Sequence, residues 1–219
     1  MWISQQLIKE FILDILFPRF CLNCNREGSY LCPDCFSLID ISEKKYYFLK
    51  NLNGLFCPTS YDNFIVKKLI NQFKYPPYIK ELAKPLASLI ITYFKILGES
   101  GLQDFILVPI PLHKKKLKSR GFNQASEIAK ELSKNLAIPF SDNVLIKIKP
   151  TPAQVELKKE EREKNVRETF LCQKPEIIKN KKILLVDDVF TTGATLEEAG
   201  RALRRAGASE VWGVVVAHG

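Results

Sequence analysis

Apolar residues recur at helical spacing through the first twenty positions. Ile3, Leu7, Phe11 and Ile15 form one row, and Ile8, Ile12 and Leu16 a second. The pattern predicts an amphipathic helix over residues 1–20 that docks on its own chain or on a partner. Its polar face is not lysine-rich, which disfavours a membrane-surface role. From Leu55 the texture changes. Residues 55–60 read as a strand, and residues 63–74 and 79–97 as helices separated by the breaker Tyr75-Pro76-Pro77. Residues 105–109 and 183–186 are short unbroken apolar runs, the mark of strands buried on both faces. Residues 124–136 predict a helix with Ala125, Ile128, Ala129 and Leu132 inward. A strand at 144–148, a helix at 196–206 closed by Gly207 and a last strand at 211–217 complete the pattern. Strands alternating with helices predict an α/β fold, a parallel sheet with helices on both faces. The division falls between an N-terminal piece, residues 1–53, and a main domain, residues 54–219.

Composition narrows the class. Hydrophobic residues make up 46% and charged residues 26% of 219 residues, which excludes disordered, collagen-like and coiled-coil chains. Lys plus Arg number 33 against 24 Asp plus Glu, a net charge of +9 that favours phosphates, nucleic acid or an acidic surface as partner. The most apolar-looking run, residues 7–17, carries Lys9, Glu10 and Asp14, so no membrane span is expected. The opening residues lack the basic stretch and cleavage site of a secretory signal, so a cytoplasmic location is the expectation. Thiols stay reduced there, so the six cysteines are not read first as disulfides.

Four cysteines fall in two pairs, Cys21-x-x-Cys24 and Cys32-x-x-Cys35, with seven residues between them. Each pair can supply half of a tetrahedral four-cysteine site, so a structural Zn2+ is expected, with a redox or disulfide pair as the alternative. The metal would staple a piece too small to hold alone, or present a nucleic-acid contact. Cys57 and Cys172 lack sequence partners and read as small buried hydrophobes.

The most informative segment follows the buried run ending at Val186. Asp187 and Asp188 stand at the carboxyl end of that strand, where open α/β sheets bind ligands. Thr191, Thr192, Gly193, Ala194 and Thr195 come next, and then a helix. Thr195 and Glu198 have capping-box spacing. Loop amides gathered at a helix start, with three threonine hydroxyls, suit a phosphate monoester, and Gly193 allows close approach. Carboxylates accept hydrogen bonds from vicinal hydroxyls. A phosphate site and a diol site within one turn of each other fit a ribose 5-phosphate group. No P-loop is present.

The Val-Asp187-Asp188-Val-Phe-Thr191-Thr192-Gly193-Ala194-Thr195 run resembles the phosphoribosyl-pyrophosphate (PRPP) signature of type I phosphoribosyltransferases. Arg120-Gly121-Phe122-Asn123-Gln124, with Thr151, Gln154, Leu157, Arg162 and Asn165, resembles the ComF family, whose members also carry an N-terminal four-cysteine finger. The likeness spans roughly residues 15–217. It implies a parallel-sheet phosphoribosyltransferase domain, PRPP bound with Mg2+, pyrophosphate as leaving group, and a link to competence and DNA uptake. Asp187 and Asp188 would hold the ribose as catalytic residues, and Thr191–Thr195 the 5′-phosphate. His113, Lys118, Arg120, Arg162 and Asn165 would serve the pyrophosphate. Lys118 and Lys149 stand where family members tend to have arginine, which alone makes a bidentate fork to phosphate.

The basic run around Lys114, Lys115 and Lys116 follows the strand ending at Pro109, so it faces the same crevice or is a solvated turn. His113 is either a phosphate donor or a surface residue, and His218 is structural. Residues 157–167 read as a charged helix or a mobile lid. Two functions remain: a phosphoribosyltransferase-like enzyme, or a single-stranded-DNA-binding competence protein that uses the fold without turnover. The chain's own composition and spacing name no acceptor.

Overall fold

The computed structural model describes residues 17–42, 48–99, 101–149 and 168–219. Most of the helix expected over residues 1–20 lies outside the described residues. So do Thr151, Gln154, Arg162, Asn165 and the expected helix or lid over residues 157–167.

Four strands form a parallel sheet: β1 (Gly54–Phe56), β3 (Phe105–Pro109), β6 (Lys182–Val186) and β8 (Glu210–Val214), in the spatial order β1-β8-β6-β3. Alternation along β6 shows how it is buried. Leu184 and Val186 join one apolar cluster with Phe56, Leu107 and Val214. Ile183 and Leu185 join another with Leu55, Val108 and Val211. Both faces are covered, as a continuous apolar run requires. The first face carries α2 (Phe64–Lys74), α3 (Ala83–Leu97) and α5 (Gln124–Leu136); the second carries α7 (Ala194–Arg205). Asn63 caps α2 by accepting hydrogen bonds from the Ile65 and Val66 amides at 3.0 and 3.2 Å.

Two of the expected strands, residues 55–60 and 211–217, are interrupted near their carboxyl ends, and the strand expected over residues 183–186 has an unannounced continuation beyond Asp187-Asp188. β2 (Thr59–Ser60), β7 (Val189–Phe190) and β9 (Ala217–His218) form a second parallel sheet in the order β2-β9-β7. They continue β1, β6 and β8 in the same lateral order. The break falls at Cys57-Pro58, Asp187-Asp188 and Val215-Val216. Across it Asp187 N donates to Val214 O and Val216 N donates to Asp188 O, both at 3.0 Å. The acidic pair therefore sits on a bend in continuous, hydrogen-bonded backbone, not in a free loop.

Residues 144–148 correct the expectation of another parallel strand. Leu145–Lys147 (β4) pairs antiparallel with Phe170–Cys172 (β5), an element the pattern did not announce, and the hairpin lies outside the main sheet. The helix expected over 79–97 begins as a 3-10 turn, Lys80–Leu82, before α3. Further short helices are α1 (Pro33–Ser37), α4 (Lys114–Arg120) and α6 (Pro175–Ile178). Cys21, Cys32, Cys35 and Ile39 belong to the same apolar cluster as α2 and α3, so the cysteine piece packs on the main domain. Among the described residues no helix is long and apolar enough to cross a membrane.

Candidate functional site

β3 and β6 are neighbours in register, with Pro109 opposite Val186. Ile110 N donates to Val186 O at 2.9 Å just beyond them. The segments leaving these two strands therefore start side by side at one edge of the sheet. One carries the acidic pair, the other the basic run.

Asp188 is buried, and Lys74 Nζ at the end of α2 pairs with its Oδ1 at 2.9 Å. Asp187 accepts the Asp188 amide on its Oδ1 at 2.9 Å. Burial, then the Asp188 charge beside it, pushes the Asp187 carboxyl up to about 7, against the opposing pull of Lys74 and Lys147. Lys147 on β4 is pushed down to about 8 by burial and by Lys116, while Asp187 pulls the other way. Lys116 is also lowered, by desolvation and by the charges of Arg120 and Lys74. Cations from α2, α4 and β4 thus share one field with two carboxylates.

The basic run is not a loop. Lys114–Arg120 forms α4, and His113 is its N-cap, accepting the Lys115 amide on Nδ1 at 3.3 Å. Lys118 is exposed on its last turn. Gly121 closes α4 with φ 81°, a left-handed conformation glycine adopts without cost, and α5 begins three residues later. Each side chain that follows has a structural task. Phe122 packs on Phe73 with ring centroids 5.5 Å apart. Asn123 donates to Ile110 O at 3.0 Å. Gln124, buried, accepts from Arg120 Nη1 at 2.9 Å and donates to Phe73 O at 3.1 Å. Arg120 is so tied to the residue preceding Lys74, and through Lys74 to Asp188.

The segment after Asp188 turns at Gly193, whose φ of 78° makes it the N-cap of α7. A Cβ there would lie 2.7 Å from the Phe190 ring, so only glycine fits. Ala194 and Thr195 open the helix, Thr192 is half-buried and Thr191 exposed. The expected capping box does not form. The helix starts two residues earlier than expected, which places Thr195 inside the first turn, with no side-chain cap at Gly193. Glu198 instead accepts the Glu168 amide at 2.6 Å and Arg201 Nε at 2.9 Å.

The four sulfurs of Cys21, Cys24, Cys32 and Cys35 lie within 4.8 Å of one another. Zn–S bonds of about 2.3 Å arranged tetrahedrally set sulfur–sulfur edges of about 3.8 Å, which this cluster accommodates. Burial raises the Cys21 thiol, but the backbone amides of Cys24, Cys32 and Asn23 outweigh it and bring Cys21 down to about 6. Asn23 Nδ2 donates to Cys35 Sγ at 3.2 Å and lowers that thiol, yet burial and the three neighbouring cysteines push it up to about 12. The cluster can hold a metal ion, and the soft thiolate set fits zinc.

Lys74 and Lys147 were not among the expected site residues. Lys74 reads as an ordinary helix-end cation and Lys147 as one position of a short strand; only tertiary placement singles them out. Cys57 behaves as expected: it is buried, and its thiol is pushed up to about 12. His218 Nδ1 lies 3.1 Å from Thr59 O, a structural contact across β2 and β9.

The phosphoribosyl transferase domain family matches residues 117–219, from within α4 to the last residue. Competence protein F of Haemophilus influenzae is 31% identical over 186 residues, covering 79% of this chain and 81% of that protein. The chain belongs to the competence protein F family. Competence protein ComFC of Bacillus subtilis is 30% identical over 145 residues, 66% of this chain and 56% of that protein. DNA utilization protein YhgH of Salmonella typhimurium is 30% identical over 148 residues, 66% of this chain and 64% of that protein. The chain thus spans less than two thirds of those two relatives. This chain joins a four-cysteine cluster to the phosphoribosyl transferase domain. In this member the domain match begins at Leu117 and so takes in Lys118, Arg120, the acidic pair and the Gly193 turn.

Proposed function

We propose that this chain binds PRPP with Mg2+ in the cytoplasm and transfers or releases its phosphoribosyl group, in the service of DNA uptake or use. One observation carries the reading. An acidic pair on the bend after β6 leads in five residues to the glycine-capped start of α7, beside a cluster of Arg120, Lys116, Lys147 and Lys74. That order of groups matches the order of a phosphoribosyl ligand. Thr191–Thr195 and the first amides of α7 take the 5′-phosphate. Asp187 and Asp188 accept the ribose hydroxyls, Lys74 yielding part of its hold on Asp188. Arg120, Lys116 and Lys147 meet the diphosphate, with His113 and Lys118 at the margin. Mg2+ brought in with PRPP would neutralise charge on the leaving group.

The bond from the anomeric carbon to the pyrophosphate oxygen then breaks, and its electron pair leaves with pyrophosphate. The ribose carries the positive charge until a nucleophile closes on it. The residues contribute position and electrostatic stabilisation, the cations receiving charge where it develops. Relatives named for competence and DNA utilization support the biological setting. The cysteine cluster holds Zn2+ as a structural staple.

A second reading, a single-stranded-DNA-binding protein without turnover, is favoured by the outer face of α2. Phe64 and Tyr75 are exposed there, with Lys68 Nζ 5.8 Å from the Phe64 ring and Lys67 Nζ 5.8 Å from Tyr61. Aromatic faces interleaved with lysines suit stacked bases on a phosphate backbone. Pyrophosphate release from PRPP, measured with and without single-stranded DNA, separates the two. Release that requires Asp187 and Asp188 supports the enzyme; DNA binding with no release supports the binding protein.

A further inference from the structure

The segment joining the cysteine piece to β1 lies across α7. Glu197, one turn into that helix, accepts three hydrogen bonds from it: Lys50 N at 2.6 Å, Asn51 N at 2.7 Å and Asn51 Nδ2 at 2.7 Å. Arg204, two turns further on, donates to Asn51 O at 2.9 Å and to Asn53 Oδ1 at 2.8 Å. Between them Gly200 makes room. A Cβ there would stand 2.7 Å from Leu52 Cδ1 and 3.0 Å from Asn51 O. Glu197, Gly200 and Arg204 share one helical face by their spacing. Glycine is disfavoured inside a helix, so its place here answers to the close passage of the strap. The strap does not stop at the helix. Leu49 Cδ2 lies 3.4 Å from where a Cβ of Gly193 would be, over the turn that opens α7.

We infer that residues 49–53 are a positioning strap for the phosphate turn, and that Glu197 is the positioning residue that seats it. Resting on the reading of Thr191–Thr195 as a phosphate cradle, the inference adds what holds the cradle in shape. Phe190 and Leu49 together cover the side of Gly193 where a Cβ would stand. The carboxylate of Glu197 takes both strap amides at once, so Leu49 is carried by the same helix whose first turn would bind phosphate. A cradle fixed before the ligand arrives does not spend binding energy on ordering itself. These hydrogen bonds tie the strap to α7, and none of them reaches the diphosphate side on α4 and β4. Affinity for the diphosphate should not depend on the strap.

Titration calorimetry with ribose 5-phosphate and, separately, with Mg2+-pyrophosphate tests this on the full chain. Glu197→Ala and Leu49→Ala are compared with wild type. Leu49→Ala leaves the three groups that bond Glu197 in place and removes the side chain over Gly193 with its packing on the neighbouring apolar cluster, so it guards against a fold lost in Glu197→Ala. Both variants should bind ribose 5-phosphate roughly 5- to 30-fold more weakly, about 1–2 kcal/mol at 1.4 kcal/mol per tenfold. Pyrophosphate affinity should be unchanged, and amide hydrogen exchange at residues 192–194 should quicken. Unchanged ribose 5-phosphate affinity overturns the inference, and so does an equal loss for both ligands. If wild type binds no ribose 5-phosphate, the cradle reading itself fails. The strap then stands or falls on the exchange at residues 192–194, where unchanged rates overturn it.

Discussion

Asp187 is where the chemistry of the site is most sensitive to its surroundings. Its carboxyl is raised to about 7 by burial and by Asp188, whereas in an unfolded chain it ionises near 4. Between those values the folded state holds the proton more tightly. Stability from this group is therefore greatest below about pH 4 and is lost as pH rises through 7. Asp187→Asn should leave the melting temperature unchanged at pH 4 and raise stability at pH 8 by roughly 1–4 kcal/mol, read by calorimetric melting. Protonation of the same group opposes binding at low pH, since a protonated Asp187 is a poorer acceptor for ribose hydroxyls. Lys147, lowered to about 8, loses its charge on the alkaline side. Affinity for Mg2+-PRPP should therefore rise with pH through about 7 and fall above about 8. Lys147→Met should abolish the alkaline fall while keeping the acid limb. A flat profile in wild type would contradict this account of the two groups.

Elements show what the sequence could and could not disclose. Buried strands β3 and β6 were legible because unbroken apolar runs leave few alternatives, and the acidic pair was legible because it ends one of them. The bend was not. Pattern alone reads residues 55–60 and 211–217 each as one strand and ends the strand between them at Val186 without announcing β7; only the pairing of Asp187 N with Val214 O and Val216 N with Asp188 O marks the bend. The capping box failed for a similar reason. Gly193 in a left-handed conformation begins the helix without Thr195, and Glu198 is drawn to Arg201 and the Glu168 amide. The Arg120–Gln124 run was legible as a motif, but its tasks emerge only when α2 is beside it. Gln124→Leu should strand the Phe73 carbonyl and loosen Arg120, at a cost of about 1–3 kcal/mol in chemical unfolding. In the cysteine piece, Cys24→Ser should reduce the zinc content from about one per chain to none by elemental analysis. Amides of residues 20–37 should lose exchange protection while those of β6 keep it. A wild-type chain purified without chelator and free of metal would remove the staple from the account.

At the scale of the molecule, a net charge of +9 is gathered partly on two surfaces, the α4 side of the crevice and the outer face of α2. If single-stranded DNA tracks α2, its affinity should fall steeply with salt as counterions are released. Phe64→Ala with Tyr75→Ala should cost about 1–3 kcal/mol per base no longer stacked, and Lys67→Ala with Lys68→Ala should flatten the salt slope. Fluorescence anisotropy at several salt concentrations reads both. The central claim is that the bend after β6 and the start of α7 together hold a phosphoribosyl group. Titration calorimetry with PRPP and Mg2+ on wild type and on the Asp187→Asn, Asp188→Asn double variant tests it most directly. Charged acceptors contribute about 1.5–3 kcal/mol per hydrogen bond, so the variant should bind roughly 10- to 1000-fold more weakly; its fold is checked by circular dichroism, since Asp188→Asn removes the partner of Lys74. Equal affinity in the two proteins, or no binding of PRPP to a folded wild type, would contradict it.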